Sequence, residues 1–156
     1  MLEKDITYMR VALEEAKLAF DRDEVPIGAV LVHKNSGEVV AKSGNRTIEF
    51  SDPTAHAEIL CVRQLCKELE VQRIPDYDLY VTLEPCPMCA SSLSFSRINR
   101  VIFGARDPKS GGLNDNLNLY NHSQLHHKPK ITTGILDAEC GQILKAFFKK
   151  KREKKN

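Results

Sequence analysis

An α/β domain with a partly parallel sheet is what this sequence predicts, and three patterns predict it. Residues 79–83 and 100–105 are short β-rich runs separated by a helix-like segment, 86–96. Strand, helix, strand at that spacing is a βαβ unit, whose two strands run parallel. Upstream, runs 29–33 and 38–43 flank the turn signal Asn35-Ser36-Gly37 and read as a hairpin. The chain opens with Ile6, Met9, Leu13, Ala16 and Phe20 at helical spacing.

In chain order, the first helix covers 5 to about 22, with Arg10, Glu14, Glu15 and Lys17 on its polar side. Val25-Pro26-Ile27-Gly28 leads into the hairpin. Gly44-Asn45-Arg46 then opens a loop that ends at Ser51-Asp52-Pro53. Asn45 is placed where an amide can reach from a strand end into a site, although Asn after Gly is often only a turn residue. A second helix is expected over 54–69, with Asp52 or Thr54 as N-cap and Ile59, Val62, Cys66 and Leu69 inward. Pro75-Asp76-Tyr77-Asp78 breaks the chain before strand 79–83, and Glu84-Pro85 turns into the third helix. The long irregular stretch 106–128 reads as a lid or binding loop, with Asp107, Lys109 and Gly111-Gly112 as contact candidates. A last strand, 130–133, ends at Gly134, and a final helix from about 137 carries Phe147-Phe148 into a basic tail. There is no internal repeat.

The chemistry concentrates in His56-Ala57-Glu58 and Pro85-Cys86-Pro87-Met88-Cys89. One His and two Cys make three zinc-type ligands, and a zinc with three protein ligands keeps a position for water, whose pKa it lowers to roughly 7. Glu58 belongs to no ligand set and is free to carry a proton. That combination describes a metal-assisted hydrolase. Cys86 and Cys89 share a face in a first helical turn, where Pro87 is tolerated and the helix N-terminus favours thiolates. His56 and Glu58, two apart, would point to nearly opposite sides of a regular helix, so they can flank one metal only where a helix is just beginning or where the longer Glu side chain reaches back. The competing readings are a redox dithiol, which leaves His56 and Glu58 idle, and a four-Cys ribbon. Cys61, Cys66 and Cys140 do not supply the ribbon's second pair. His122, His126 and His127 read as solvent- or RNA-facing rather than as a second metal site.

At 156 residues, 42% hydrophobic and 28% charged, the chain suits one soluble domain, 1–156. Its apolar runs are too short for a bilayer, and its opening residues lack the pattern of a signal peptide. No membrane and no nucleotide cofactor are expected, and five cysteines without a disulfide pattern point to a reducing, cytoplasmic setting. From Lys145 onward seven basic residues against Glu153 give +6, leaving −4 on the rest of a chain whose net charge is +2. A basic C-terminal element from about 145 is a candidate phosphate binder, against a plain solvated helix end.

H-x-E followed by P-C-x-x-C is the signature of zinc nucleobase deaminases. With Val25-Pro26-Ile27-Gly28-Ala29-Val30, Gly44-Asn45-Arg46, Asp52-Pro53-Thr54-Ala55-His56-Ala57-Glu58, Thr82-Leu83-Glu84-Pro85-Cys86-Pro87-Met88-Cys89 and the run from Arg100 to Asp107, the chain resembles the tRNA-specific adenosine deaminases. These lie within the cytidine deaminase-like superfamily. The resemblance spans nearly the whole length. It implies a three-layer α/β/α fold with a five-stranded mixed sheet, a homodimer, and one zinc per subunit on His56, Cys86 and Cys89. It implies that Glu58 moves protons while adenosine becomes inosine at the wobble position of a tRNA anticodon stem-loop. It further implies base contacts from Ile27, Asn45 and the Ala57 backbone, a sugar or backbone contact from Asp107, and RNA contacts from Phe148, Lys149, Lys150 and Arg152. His126-His127 stands where the family often has Asn-His, and the Asn-rich run 114–118 is also unusual. The rival functions are deamination of a free base or nucleoside such as guanine or cytosine, and a non-catalytic RNA-binding subunit with structural zinc.

Overall fold

The computed structural model describes residues 2–155. Helix α1 is Leu2–Asp21, followed by the hairpin β1 (Gly28–His33) and β2 (Val39–Gly44). Helix α2 (Ala57–Leu69), β3 (Tyr77–Leu83), α3 (Pro87–Phe95) and β4 (Arg100–Ala105) come next. A short 3₁₀ turn (Leu119–Asn121), β5 (Lys130–Thr133) and α4 (Asp137–Lys154) complete the chain. The five strands form one mixed sheet in the order β2-β1-β3-β4-β5. Strand β1 is antiparallel to β2 and β3, while β3, β4 and β5 run parallel, as the βαβ reading requires.

Both faces of the sheet are covered, and the pleat sorts its side chains between two cores. Ala29, Leu31, Leu79, Val81, Val101 and Phe103 pack with Ala57, Cys61 and Leu65 of α2 and Leu93 of α3. Their neighbours Val30, Val32, Tyr80 and Ile102 face the opposite way, onto Met9, Ala12 and Leu13 of α1 and Cys140 of α4. The layers are therefore α1 and α4, sheet, α2 and α3.

Two local expectations change. Helix α2 begins at Ala57 rather than near Thr54, and its N-cap is His56. Asp52 caps instead a separate turn, its Oδ1 accepting the Thr54 backbone N–H at 2.8 Å and the Thr54 hydroxyl at 2.7 Å. The buried stripe of α2 is Ala57, Cys61 and Leu65 with Glu58 and Ile59, and Leu69 is exposed. Burying Glu58 rotates the helix away from the face that apolar spacing alone selects.

The sheet register also explains why distant residues meet. Gly28 pairs with Gly44 and Ala29 with Val81, so the start of β1, the end of β2 and the end of β3 lie at one edge. Leu83 pairs with Ala105, which brings the end of β4 there too. Ligands of open α/β sheets bind beyond the carboxyl ends of parallel strands, and this is that edge.

Candidate active site

His56 leads into α2 with φ −77° and ψ 152°, an extended conformation outside the helix. Glu58 is already helical, so the two side chains turn to one side although they are two residues apart. Cys86 repeats this arrangement at α3: it is the extended N-cap, Pro87 occupies the first turn, and Cys89 stands one turn in. His56 Nδ1 lies 3.6 Å from Cys86 Sγ and 3.5 Å from Cys89 Sγ. All three ligand atoms fall within 4.8 Å of one another, and they form the one such His/Cys/Asp/Glu group among the described residues. Zinc bonds of about 2.3 Å to sulfur and 2.0–2.1 Å to nitrogen, set at a tetrahedral angle, place S and N roughly 3.6 Å apart. The donor set fits zinc in kind and in spacing.

The electrostatics suit that set. Cys86 Sγ accepts a hydrogen bond from the Cys89 thiol and another from His56, which hold the Cys86 thiol down at about 4. The same contact with Cys86, together with burial, pushes Cys89 up. The hydrogen bond to Cys86 raises His56. Glu58 is 3% exposed, and burial pushes its carboxyl up to about 7, with its backbone N–H and the His56 charge opposing.

These groups line an inner cavity of about 140 Å³, bounded by Ile27, His56, Glu58, Leu83, Glu84, Cys86, Asp107 and Ser110. It shares Ile27, His56, Leu83 and Asp107 with an outer cavity of about 480 Å³. Helix α4 walls the outer cavity with Gly141, Leu144, Lys145 and Phe148, and Val25, Asn45, Thr47, Ala105 and Arg106 complete it.

A family model described as "Cytidine and deoxycytidylate deaminase zinc-binding region" matches residues 2–105, which include the three ligands and Glu58. The chain belongs to this zinc-binding deaminase family. A tRNA-specific adenosine deaminase of Agrobacterium fabrum is 50% identical over 93% of this deaminase and 94% of its own length. The tRNA-specific adenosine deaminase of Bacillus subtilis is 44% identical, covering 99% and 94% respectively. A solved structure from work on A-to-I editing by tRNA:A34 deaminases at the wobble position of transfer RNA matches with a TM-score of 0.85 and 49% identity. It covers 88% of this chain and 99% of that one. The cytidine deaminase-like fold and the zinc-binding character expected from the sequence are both met.

The other expected site residues of this deaminase divide. Ile27, Asn45, Asp107 and Phe148 stand at the cavities. The Ala57 N–H is already engaged, donating to Asn45 Oδ1 at 2.8 Å, so Asn45 caps α2 from a different strand end. Asn45 is itself held by its backbone, whose N–H donates to Ile27 and whose carbonyl accepts from Arg22. Asp107 Oδ1 accepts the backbone N–H groups of Lys109 and Ser110, which leaves Oδ2 for other partners. Lys149, Lys150 and Arg152 line neither cavity; Lys150 lies 5.3 Å above the Phe20 ring of α1, and neighbouring Lys151 bonds Asp23.

The cations at the outer cavity are Arg106 and Lys145, the latter the first residue of the basic element read as a candidate phosphate binder; sequence reasoning missed Glu84 and Ser110 in the inner cavity. Its reading of His127 as solvent- or RNA-facing also changes. The ring Nε2 lies 2.6 Å from the Ile98 carbonyl, and the His127 carbonyl accepts from Ser94, so this residue braces the loop against α3.

Proposed function

We propose that this chain hydrolytically deaminates adenosine to inosine at the wobble position of a tRNA anticodon, with one zinc per subunit held by His56, Cys86 and Cys89. The observation that carries this is three ligand atoms at zinc spacing beside a buried carboxylate, in a chain half identical to a tRNA-specific adenosine deaminase over nearly its full length.

Zinc, when bound, supplies a Lewis acid that makes water a competent nucleophile near neutral pH. The protein's part is to orient the base and move protons. Glu58 takes a proton from the attacking water and delivers it to the purine ring nitrogen next to the amino-bearing carbon. The water oxygen bonds to that carbon, the carbon–nitrogen bond to the amino group breaks, and Glu58 passes the second proton to the leaving group. Adenosine and water give inosine and ammonia. Asn45, its Oδ1 committed to Ala57, presents Nδ2 to the base, and Ile27 packs on the base face. Asp107 contacts the sugar or backbone through Oδ2. Phe148 stacks a neighbouring base, and Lys145 with the basic end of α4, including Lys149 and Arg152, attracts phosphates.

The same reading places the enzyme in the cytoplasm as a homodimer. Ile48, Phe50 and Phe95 are exposed large apolar side chains of the kind that a second copy covers. Among the described residues no helix is long and apolar enough to cross a membrane. The deciding measurement is inosine formation on an anticodon stem-loop beside free adenosine, guanine and cytosine. Turnover of a free base with an inert stem-loop would reverse the choice of substrate, and light scattering that gave a monomer would remove the dimer.

A further inference from the structure

A second buried carboxylate stands beside the metal ligands, and no step of the reaction above uses it. Glu84 is 3% exposed and precedes Cys86 by two residues. It joins no ion pair among the described residues. A buried carboxylate without a cation needs hydrogen-bond donors. Glu84 finds them in backbone amides far along the chain: Oε1 accepts the Asp107 N–H at 3.1 Å and Oε2 the Leu113 N–H at 3.1 Å. Its own N–H donates to the Ala105 carbonyl at 2.8 Å, and next door the Pro85 carbonyl accepts the Gly112 N–H at 2.8 Å.

The turn between those two amides is wrapped around the carboxylate. Asp107 closes it locally, its carbonyl accepting the Gly111 N–H at 2.9 Å and its Oδ1 the Ser110 N–H at 3.0 Å. Gly111 lies so close that an added Cβ would fall 2.0 Å from Glu84 Oε2 and 2.6 Å from the Asp107 carbonyl oxygen, so that the carboxylate and the turn backbone would have to shift. Asp107 and Ser110, the residues that this turn presents, line the inner cavity with Glu58. The carboxylate thus joins the segment that leads from β3 into the ligand-bearing helix α3 to the loop that forms the cavity mouth.

We propose that Glu84 is a positioning residue: it holds the 107–113 turn closed against α3 and so fixes where Asp107 and Ser110 meet the substrate. The inference rests on the deaminase reading above. A turn that is open part of the time must close on binding, which weakens apparent affinity by the closed fraction and leaves the bound reaction alone.

The test uses the zinc-loaded enzyme with Glu84→Gln, which alters the carboxylate alone, and with Gly111→Ala, whose Cβ displaces the carboxylate and the Asp107 carbonyl together. Gln keeps one accepting oxygen and turns an NH₂ toward the second amide. Amide exchange at Asp107 or Leu113 should accelerate roughly 5- to 100-fold. KM for an anticodon stem-loop should rise by the inverse of the closed fraction, a factor no larger than the change in exchange, while kcat and the zinc content stay near those of the wild type. Unchanged exchange at both amides, a fall in kcat at constant KM, or loss of zinc from both variants would overturn the assignment. An inert wild-type enzyme on the stem-loop would instead sink the deaminase reading and this proposal with it. An active wild type with an unaltered KM in both variants sinks the proposal alone.

Discussion

Asn45 caps α2 and, in the proposed mechanism, also binds the base, and two substitutions separate these roles. Its Oδ1 accepts the Ala57 N–H at 2.8 Å, at the first residue of α2, and both residues are buried. Asn45→Ala leaves that amide without a partner and without access to water, a loss of about 1–3 kcal/mol. Removing a capping side chain from a helix start typically costs about 0.5–2 kcal/mol, which agrees. In a domain of this size 1 kcal/mol moves Tm by about 2–4 °C, so Asn45→Ala should melt roughly 3–10 °C below the wild type. Asn45→Asp keeps an acceptor for Ala57 and sets a negative charge at a helix N-terminus, where it is favoured. Its Tm should therefore stay close to the wild-type value. It lacks the Nδ2 donor, however, and kcat/KM on an anticodon stem-loop should fall roughly 10- to 100-fold for want of that hydrogen bond to the base. Thermal unfolding and single-turnover inosine formation on the three proteins suffice. An Asn45→Ala protein that melts with the wild type would refute the cap, and wild-type kcat/KM in Asn45→Asp would refute the base contact.

Four further outcomes follow from the same geometry. Glu58→Gln should keep its zinc by metal analysis and lose about 100- to 10,000-fold or more in turnover, the worth of a general acid–base group; unchanged turnover would leave the zinc structural. Chelation should lower Tm by roughly 8–16 °C, since a metal present at a thousand times its Kd stabilises by about 4 kcal/mol; a melt unaffected by chelator would mean that the three ligands hold nothing. Lys145→Gln should reduce the salt slope of log affinity for the stem-loop by about 0.7, the share of one single-strand phosphate, whereas Lys150→Gln should leave it intact because Lys150 packs on Phe20. Gly104→Ala should destabilise by about 1–3 kcal/mol in denaturant titration, because its Cβ would sit 2.4 Å from Cys140 Sγ where α4 meets β4.

The elements that a short window defines were legible in the sequence. Short β-rich runs, turn and break residues, and helical spacing in the first two helices led to the four α-helices and five strands found among the described residues, and the ligand motifs announced their own residues. The parts that escaped are non-local. Asp52 and Thr54 look like an N-cap because they precede a helix, yet the amide at the start of α2 is satisfied by Asn45, twelve residues upstream on another strand end. Glu84 reads as part of a Pro-Cys motif, but its partners are amides beyond the next strand. Glu24 behaves alike: it is buried and accepts the backbone N–H groups of Ile48 and Glu49, fixing the loop that leads to His56. A carboxylate that binds loop backbone leaves no periodicity in the sequence, and its partners become visible only when the sheet register is known.

That register is why the site tolerates so little freedom in the scaffold. Strand β1 is buried on both faces, with Ala29 and Leu31 in one core and Val30 and Val32 in the other. A slip of one residue against β2 would exchange the two sets and misplace every one of them. It would also carry Asn45 about 3.3 Å along the strand axis, and a 2.8 Å bond to Ala57 does not survive such a shift. Ile27 and Asn45 flank one rung of the ladder, Gly28 with Gly44, so both are set by the pairing that keeps the cores filled. The hydrophobic cores therefore hold Ile27 and Asn45 in place at the cavity, where the proposed mechanism has them meet the base. The 107–113 turn and α4 lie outside that ladder, and Asp107, Ser110, Lys145 and Phe148 come from them. Substitutions that change which nucleic acid is accepted should accordingly collect in the loop and α4, and those that abolish chemistry at the sheet edge.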